Sequence, residues 1–170
     1  MKILVTGGAG FIGSHVVDGY IDAGHKVIVV DNLSTGKREN INPSAKFYQI
    51  DIRSTQLKDI FQLEKPDIVN HHAAQISVPF SVKNPQEDGD INALGFLNVL
   101  NFCLKNKIKK VILISSGGAI YGEAVEYPTS ENYTPQPLSP YAIHKLISEY
   151  YLAFYNHQYG LDYTVLRYGN

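Results

Sequence analysis

Ile3-Leu4-Val5 runs into Gly7-Gly8-Ala9-Gly10-Phe11-Ile12-Gly13, and Val27-Ile28-Val29-Val30 then ends at Asp31, a pattern of strand, glycine turn, helix and second strand. A short apolar run ahead of a glycine cluster fits a buried parallel strand. Beyond it Ile12, Val16, Gly19 and Ala23 recur at helical spacing until Gly24 supplies a C-terminal stop. Without Cβ atoms at Gly8, Gly10 and Gly13 the chain can turn tightly, let a pyrophosphate touch its backbone and pack the helix closely on the strand. The helix N-terminus then offers free N–H groups and the positive end of its dipole to phosphates. A glycine signature alone is weak; here the strand before it and the helix after it supply the context of a dinucleotide-binding turn.

Asp31 stands eighteen positions after Gly13 at the tip of the second strand, where a carboxylate can accept hydrogen bonds from the adenosine ribose. It would repel a 2′-phosphate, which favours NAD over NADP. Lys37 and Arg38 lie close enough in sequence to leave NADP as the alternative, and a plain turn with a solvated Asp31 is the bland reading of the same residues.

At 170 residues, 44% apolar and 18% charged, the chain fits one globular domain with a proper core. A formal net charge of −1 without a basic cluster argues against a nucleic-acid surface. No apolar run reaches the length of a membrane span, and the N-terminus reads directly into a strand, so the expected location is cytoplasmic with no membrane partner. The one cysteine, Cys103, sits among apolar residues as a small hydrophobe, and the histidines show no metal-ligand spacing.

Further strands are expected at Lys46–Ile50, Asp67–Asn70, Lys110–Ile114 and Tyr163–Arg167, with a modest helix from Ser54. The alternation predicts an α/β fold, a doubly wound parallel sheet (Rossmann fold) with flanking helices, in which His71-His72-Ala73-Ala74-Gln75 falls at the carboxyl edge where ligands bind. One long helix is expected from about Pro85 to Lys105, apolar around nearly its whole circumference. A proline-rich irregular loop follows Gly122, and Ser139-Pro140 caps a second helix that stops near Gly160. The surplus apolar faces of these two helices, around 86–105 and 140–158, suggest a homodimer joined by a four-helix contact.

Tyr141 and Lys145 are four apart, hence one turn from each other on one helix face. A tyrosine near pKa ~10 needs about 4 kcal/mol to supply its phenolate at neutrality. A nearby ammonium and a positive nicotinamide both favour the anion, so the spacing suits an acid–base pair.

Taken together, the chain resembles the extended short-chain dehydrogenase/reductases, and most of all the NAD-dependent nucleotide-sugar epimerases of the UDP-glucose 4-epimerase type. The resemblance rests on Thr6 to Ser14, Asp31-Asn32-Leu33, Asp51-Ile52, His71 to Gln75, Asn92, Ser115 to Gly122, Tyr141 with Lys145, and Arg167-Tyr168-Gly169-Asn170. It implies that Gly7, Gly10, Phe11, Ile12 and Gly13 hold the pyrophosphate end of NAD, Asp31 and Asn32 the adenosine ribose, and Asp51 and Ile52 the adenine. Ala73, Ala74, Gln75, Asn92 and Ser115 would border the rest of the cofactor, and Lys145 its nicotinamide ribose. Tyr141 would take a proton from the sugar hydroxyl as hydride passes to NAD; the keto-sugar turns over and receives the hydride on its other face. The family carries a Ser or Thr four residues before its Tyr-Gly pair, a place held here by Gly117, so Ser116 is assigned the hydrogen bond to the sugar oxygen. Asn170 would touch substrate.

These enzymes continue past the Arg-Tyr-x-Asn strand into a substrate portion, so the expectation is an NAD-binding domain spanning 1–170 with the C-terminal substrate domain absent. A sugar-nucleotide 4,6-dehydratase needs a carboxylate pair soon after the catalytic hydroxyl, where this sequence has Gly117-Gly118. A non-catalytic dinucleotide-binding module is the reading from another class.

Overall fold

The computed structural model describes residues 1–169, and Asn170, expected to touch substrate, lies outside them. Six strands, β1 (Lys2–Thr6), β2 (Lys26–Asp31), β3 (Lys46–Gln49), β4 (Ile68–His71), β5 (Lys110–Ser116) and β6 (Asp162–Tyr168), form one sheet in the order β3-β2-β1-β4-β5-β6. All pairings are parallel: Ile3 lies opposite Val27 on one side and Ile68 on the other, and β5 pairs β6 from Lys110↔Asp162 to Ser116↔Tyr168. Strands covered on both faces read as unbroken apolar runs, which is why Ile3-Leu4-Val5 and Val27 to Val30 show no alternation. The strand order reverses between β1 and β4, so the loops leaving these two strands diverge and open the crevice where such folds bind ligands.

Helix α1 (Phe11–Asp22) covers one face, with Val17 packed among Ile3, Val5, Val27 and Val29. The other face is thicker: α2 (Leu57–Glu64), α5 (Gly95–Lys105) and α7 (Pro140–Tyr159) bury Leu4, Ile28, Val69, Val111 and Leu113 beneath Phe61, Phe96, Leu100 and Leu152. Leu100 is fully buried, and its truncation to Ala is of the class that costs about 2–5 kcal/mol.

The helix expected from Pro85 to Lys105 is present with those bounds but is not α throughout. It begins as α4 (Pro85–Gly89), widens into a π turn over Asp90–Leu94 and resumes as α5. A separate helix, α3 (Val78–Lys83), precedes it, capped by Ser77, whose Oγ accepts from Phe80 N–H at 3.2 Å. Nor is this region covered all round, since Leu94 is 59% exposed while Phe96, Val99 and Leu100 are buried. The chain after β5 makes a single turn, α6 (Gly117–Ile120), before the irregular stretch. Helix α7 starts and stops as its sequence implies: Ser139 Oγ accepts from Ala142 N–H, Pro140 opens the first turn, and Gly160 ends it at φ +71°.

Candidate active site

The turn after β1 is shaped by its glycines. Gly7 sits at φ +70°, and a Cβ there would lie 2.5 Å from Ala73 N, so the loops leaving β1 and β4 press together. A Cβ on Gly13 would lie 2.2 Å from Gly7 O, whereas one on Gly10 would meet nothing closer than 3.3 Å. Gly13 therefore packs the helix onto the turn, while a Cβ on Gly10 would meet only Gly7 O. Gly10 is also the N-cap and has no side chain to satisfy the first N–H groups of α1, leaving them free for an anion. The Phe11 and Ile12 side chains at this helix start are exposed. A bare helix N-terminus beside a residue without a side chain fits a dinucleotide pyrophosphate.

Asp31 is buried at the tip of β2, where its carboxylate accepts from Ala9 N–H at 3.0 Å and Leu33 N–H at 2.8 Å. Those bonds orient the carboxylate and tie the second strand to the glycine turn. Lys37 pairs with Glu39 at 3.6 Å and Arg38 lies over the Phe47 ring, so the cations that left NADP open already have partners. Asn32 donates to Asp51, and Asp51 also accepts from Arg53, which in turn reaches Asp90 at 2.8 Å. The Arg53 guanidinium holds the Asp51 carboxyl well below the usual carboxylate range. Ile52 is buried and would contact any Cβ on Gly95 at 2.8 Å.

At the end of β4, His71 is buried, with Nδ1 2.8 Å from Thr6 Oγ1 and its ring 4.6 Å from that of Phe96. Burial keeps its pKa well below the ordinary histidine value and pushes His72 down to about 4. Ala73 N–H reaches Thr6 Oγ1 at 3.3 Å, and Ala73 and Ala74 are half-buried. Gln75 and Asn92 form a reciprocal pair: Gln75 N–H donates to Asn92 Oδ1 at 2.8 Å, and Asn92 Nδ2 donates to Gln75 O at 2.9 Å. Asn92 occupies the π turn.

The third group comes from β5 and α7. Lys145 is buried, and its Nζ donates to Ile114 O at 2.9 Å while lying 5.9 Å from the Tyr141 ring. Burial pushes its pKa down to about 8, against the pull of Asp88 and Glu149 toward the charged form. Tyr141, one turn before it, is half-buried. Burial raises its phenol above the ordinary value, Ser116 acts in the opposite sense by hydrogen bonding, and Asp88 adds to the rise. Ser115 and Ser116 part company: the Ser115 hydroxyl donates to Glu149 Oε1 at 2.5 Å, and Glu149 in turn holds Arg167 at 2.7 Å. Ser116, at the end of β5, is the hydroxyl beside the phenol.

Two residues had no signal in the sequence. Asp88 is fully buried in α4 and faces His144 of α7 at 2.6 Å. Neither belongs to a recognisable motif, and an acid four positions before Asn92 reads as the polar side of a helix until the packing is known.

Glycine turn, strand-tip aspartate and the helix bearing Tyr141 and Lys145 converge on the carboxyl edge of the sheet, the place where doubly wound α/β proteins bind dinucleotides. Residues 3–170 match the NAD dependent epimerase/dehydratase family, and the chain belongs to it. Among solved structures, a UDP-glucose 4-epimerase with UDP-glucose from Thermotoga maritima is 54% identical with a TM-score of 0.96, the match covering 99% of this chain and 55% of that one. A Thermus thermophilus UDP-glucose 4-epimerase in complex with NAD is 45% identical at the same TM-score and the same coverage. A UDP-glucose 4-epimerase of Mycolicibacterium smegmatis is 40% identical over 95% of this chain and 53% of its own length. The chain thus spans about half the length of the curated relatives it matches. Among the described residues no helix is long and apolar enough to cross a membrane.

Proposed function

We propose that the complete gene product is an NAD-dependent nucleotide-sugar 4-epimerase of the UDP-glucose/UDP-galactose type, and that residues 1–170 are its dinucleotide-binding domain. The observation that carries this reading is the half-buried Tyr141 phenol beside Ser116, with Lys145 anchored on Ile114 O, at the sheet end that bears the glycine turn. The chain's likeness to UDP-glucose 4-epimerases supports a nucleotide sugar as the substrate class.

Gly7 to Gly13 would hold the pyrophosphate of NAD, Asp31 and Asn32 the adenosine ribose, Asp51 and Ile52 the adenine rim, and Ala73 to Gln75 with Asn92 the middle of the cofactor. When bound, NAD supplies the hydride acceptor and donor that a redox-neutral inversion at C4 of the sugar requires. Tyr141 removes the C4 hydroxyl proton and later returns it, which is general base and then general acid work. Ser116 donates its one O–H to the same sugar oxygen, beside the phenol. Lys145 adds positive charge to that environment and, held by Ile114 O, keeps the face of α7 in register with β5.

Product analysis with UDP-galactose tests the reading. UDP-glucose is the expected product, and Tyr141→Phe should lose about 10²–10⁴-fold in kcat, the usual contribution of a positioned acid–base group. A 4-keto-6-deoxy product would establish the dehydratase reading, and NAD binding with no turnover the non-catalytic one. We further propose a homodimer through α5 and α7: Tyr150 and Phe154 are 65% and 50% exposed, and with Ile147 and Tyr151 they line an apolar groove on α7. Sedimentation equilibrium at micromolar protein should give twice the chain mass; a monomer would overturn the dimer.

A further inference from the structure

The Tyr141–Lys145 pair sits on the first turns of a helix, and what fastens those turns is polar. Asp88 accepts at Oδ1 from Gln75 Nε2 at 2.6 Å and from Asn92 Nδ2 at 3.1 Å, while its Oδ2 lies 2.6 Å from His144 Nδ1. One carboxylate with no solvent exposure thereby joins the loop after β4, the π turn and α7. Its neighbour Gly89 makes room for the histidine, since a Cβ there would lie 3.1 Å from His144 Nε2. On either side of His144 the helix has two more contacts: Tyr141 N–H donates to Ser81 Oγ at 3.2 Å, and Ser148 Oγ, which lies 2.9 Å from His144 O, also reaches Asn92 O at 3.2 Å. Residues 141, 144 and 148 lie on one helix face, so α7 is pinned along one edge to the segment 75–92 while Lys145 is held to the sheet.

Apolar contacts of Ala142, Leu152 and Tyr155 already bury α7, and a buried carboxylate is costly unless every donor stays in place. Its retention is explained by what the donors connect. Gln75 and Asn92 belong to the segment assigned to the cofactor's middle, and His144 lies between the two residues assigned to proton transfer. Effective proton transfer needs the reacting groups placed to within about half an ångström.

We propose, resting on the epimerase reading above, that Asp88 and His144 are positioning residues that lock the Tyr141–Lys145 turn of α7 to the cofactor-bordering loop. They touch neither the phenol nor the ammonium by hydrogen bond; they fix the helix that carries both. Asp88 also acts through space on Lys145, favouring its charged form. The other groups coupled to Lys145 are Glu149 on α7 itself and His71 and His72 at the end of β4, with Tyr141 one turn away.

The test uses the complete gene product loaded with NAD and compares His144→Ala with His144→Asn, whose side-chain amide can donate where Nδ1 did. The expected result for H144A is a kcat for UDP-galactose lowered about 10–100-fold with KM within threefold, and H144N should recover most of it. Asp88→Asn should move the alkaline limb of the kcat profile to lower pH, because the anion that favours the Lys145 ammonium is gone. Amide hydrogen exchange supplies a readout independent of turnover: residues 141–145 should exchange at least about tenfold faster in H144A, while β1 and β5 are unchanged. Native kcat and native exchange in H144A would overturn the proposal, as would failure of H144N to restore either. A wild-type protein that binds NAD but makes no UDP-glucose would instead overturn the epimerase reading, and the exchange comparison would still decide the positioning role.

Discussion

Three glycines in or near α1 separate roles that the sequence alone merges. Gly13 is enclosed by backbone, with Gly7 O, Gly7 C and Gly8 Cα all within 3.0 Å of a would-be Cβ, and backbone cannot yield as a flexible side chain can. Gly13→Ala should therefore push α1 off its turn, lowering stability by about 1–3 kcal/mol and weakening NAD binding by about ten- to a hundredfold. Gly10→Ala, which would meet only Gly7 O at 3.3 Å and exchanges glycine for the poorer N-cap alanine, should cost less stability than Gly13→Ala while still weakening NAD. Gly19, which has nothing within 4 Å, should gain about 0.5–1 kcal/mol on replacement by Ala. Melting curves and NAD titrations of the three variants check this, and a Gly13→Ala protein with native melting would refute the packing argument. Asp31 shows where residue-level reading stops. Its place at the strand tip followed from spacing, but its bonds to Ala9 and Leu33 depend on how the turn folds back, which spacing does not encode. Tyr141 is similar: the interval to Lys145 was plain, while burial, the largest influence on the phenol, is a property of the assembled site.

Among elements, the strands and the ends of α7 were the most legible, because unbroken apolar runs and a Ser-Pro start are local signals. The cap can be tested directly. Ser139→Ala removes the acceptor of Ala142 N–H and should cost about 1 kcal/mol, a fall of roughly 2–4 °C in Tm for a chain of this size, whereas Ser139→Asp should hold it. An unchanged Tm for the alanine variant would show that the first turn is held by Ser81 and His144 alone. The π turn was not legible. A helical pattern of apolar residues continues through Asp90–Leu94 whether the backbone bonds reach four or five residues on, so the sequence reads as one helix. The widening brings Asn92 to Gln75 on one side and exposes its carbonyl to Ser148 on the other, as π turns often do at functional positions. The short α3 was missed for a related reason, since Pro79 in its first turn and Asn84 at its end resemble loop residues.

At the scale of the whole molecule, the site imposes a pH dependence on folding from both sides. His72 has its pKa depressed to about 4, and its Nε2 is buried without a partner among the described residues. Between about pH 6.5 and 4 the unfolded chain therefore binds a proton that the folded chain refuses, so stability falls as pH drops through that window, by about 3 kcal/mol for this residue. His71, also depressed by burial, acts in the same direction. Lys145, depressed to about 8, has the complementary effect. Between about pH 8 and 10.5 the unfolded chain again holds the extra proton, so stability rises with pH there, and at neutrality the fold carries a penalty of about 3 kcal/mol for keeping an ammonium buried. Other groups titrate in both ranges, so the measurement is a difference. Urea unfolding of wild type minus His72→Gln should show the gap closing or reversing against wild type as pH falls from 6.5 to 4. Wild type minus Lys145→Met should improve in favour of wild type from pH 8 to 10.5. A flat difference for the lysine pair would mean that Lys145 is not buried beside Ile114 O, and the proposed roles of Tyr141 and Lys145 would fall with it.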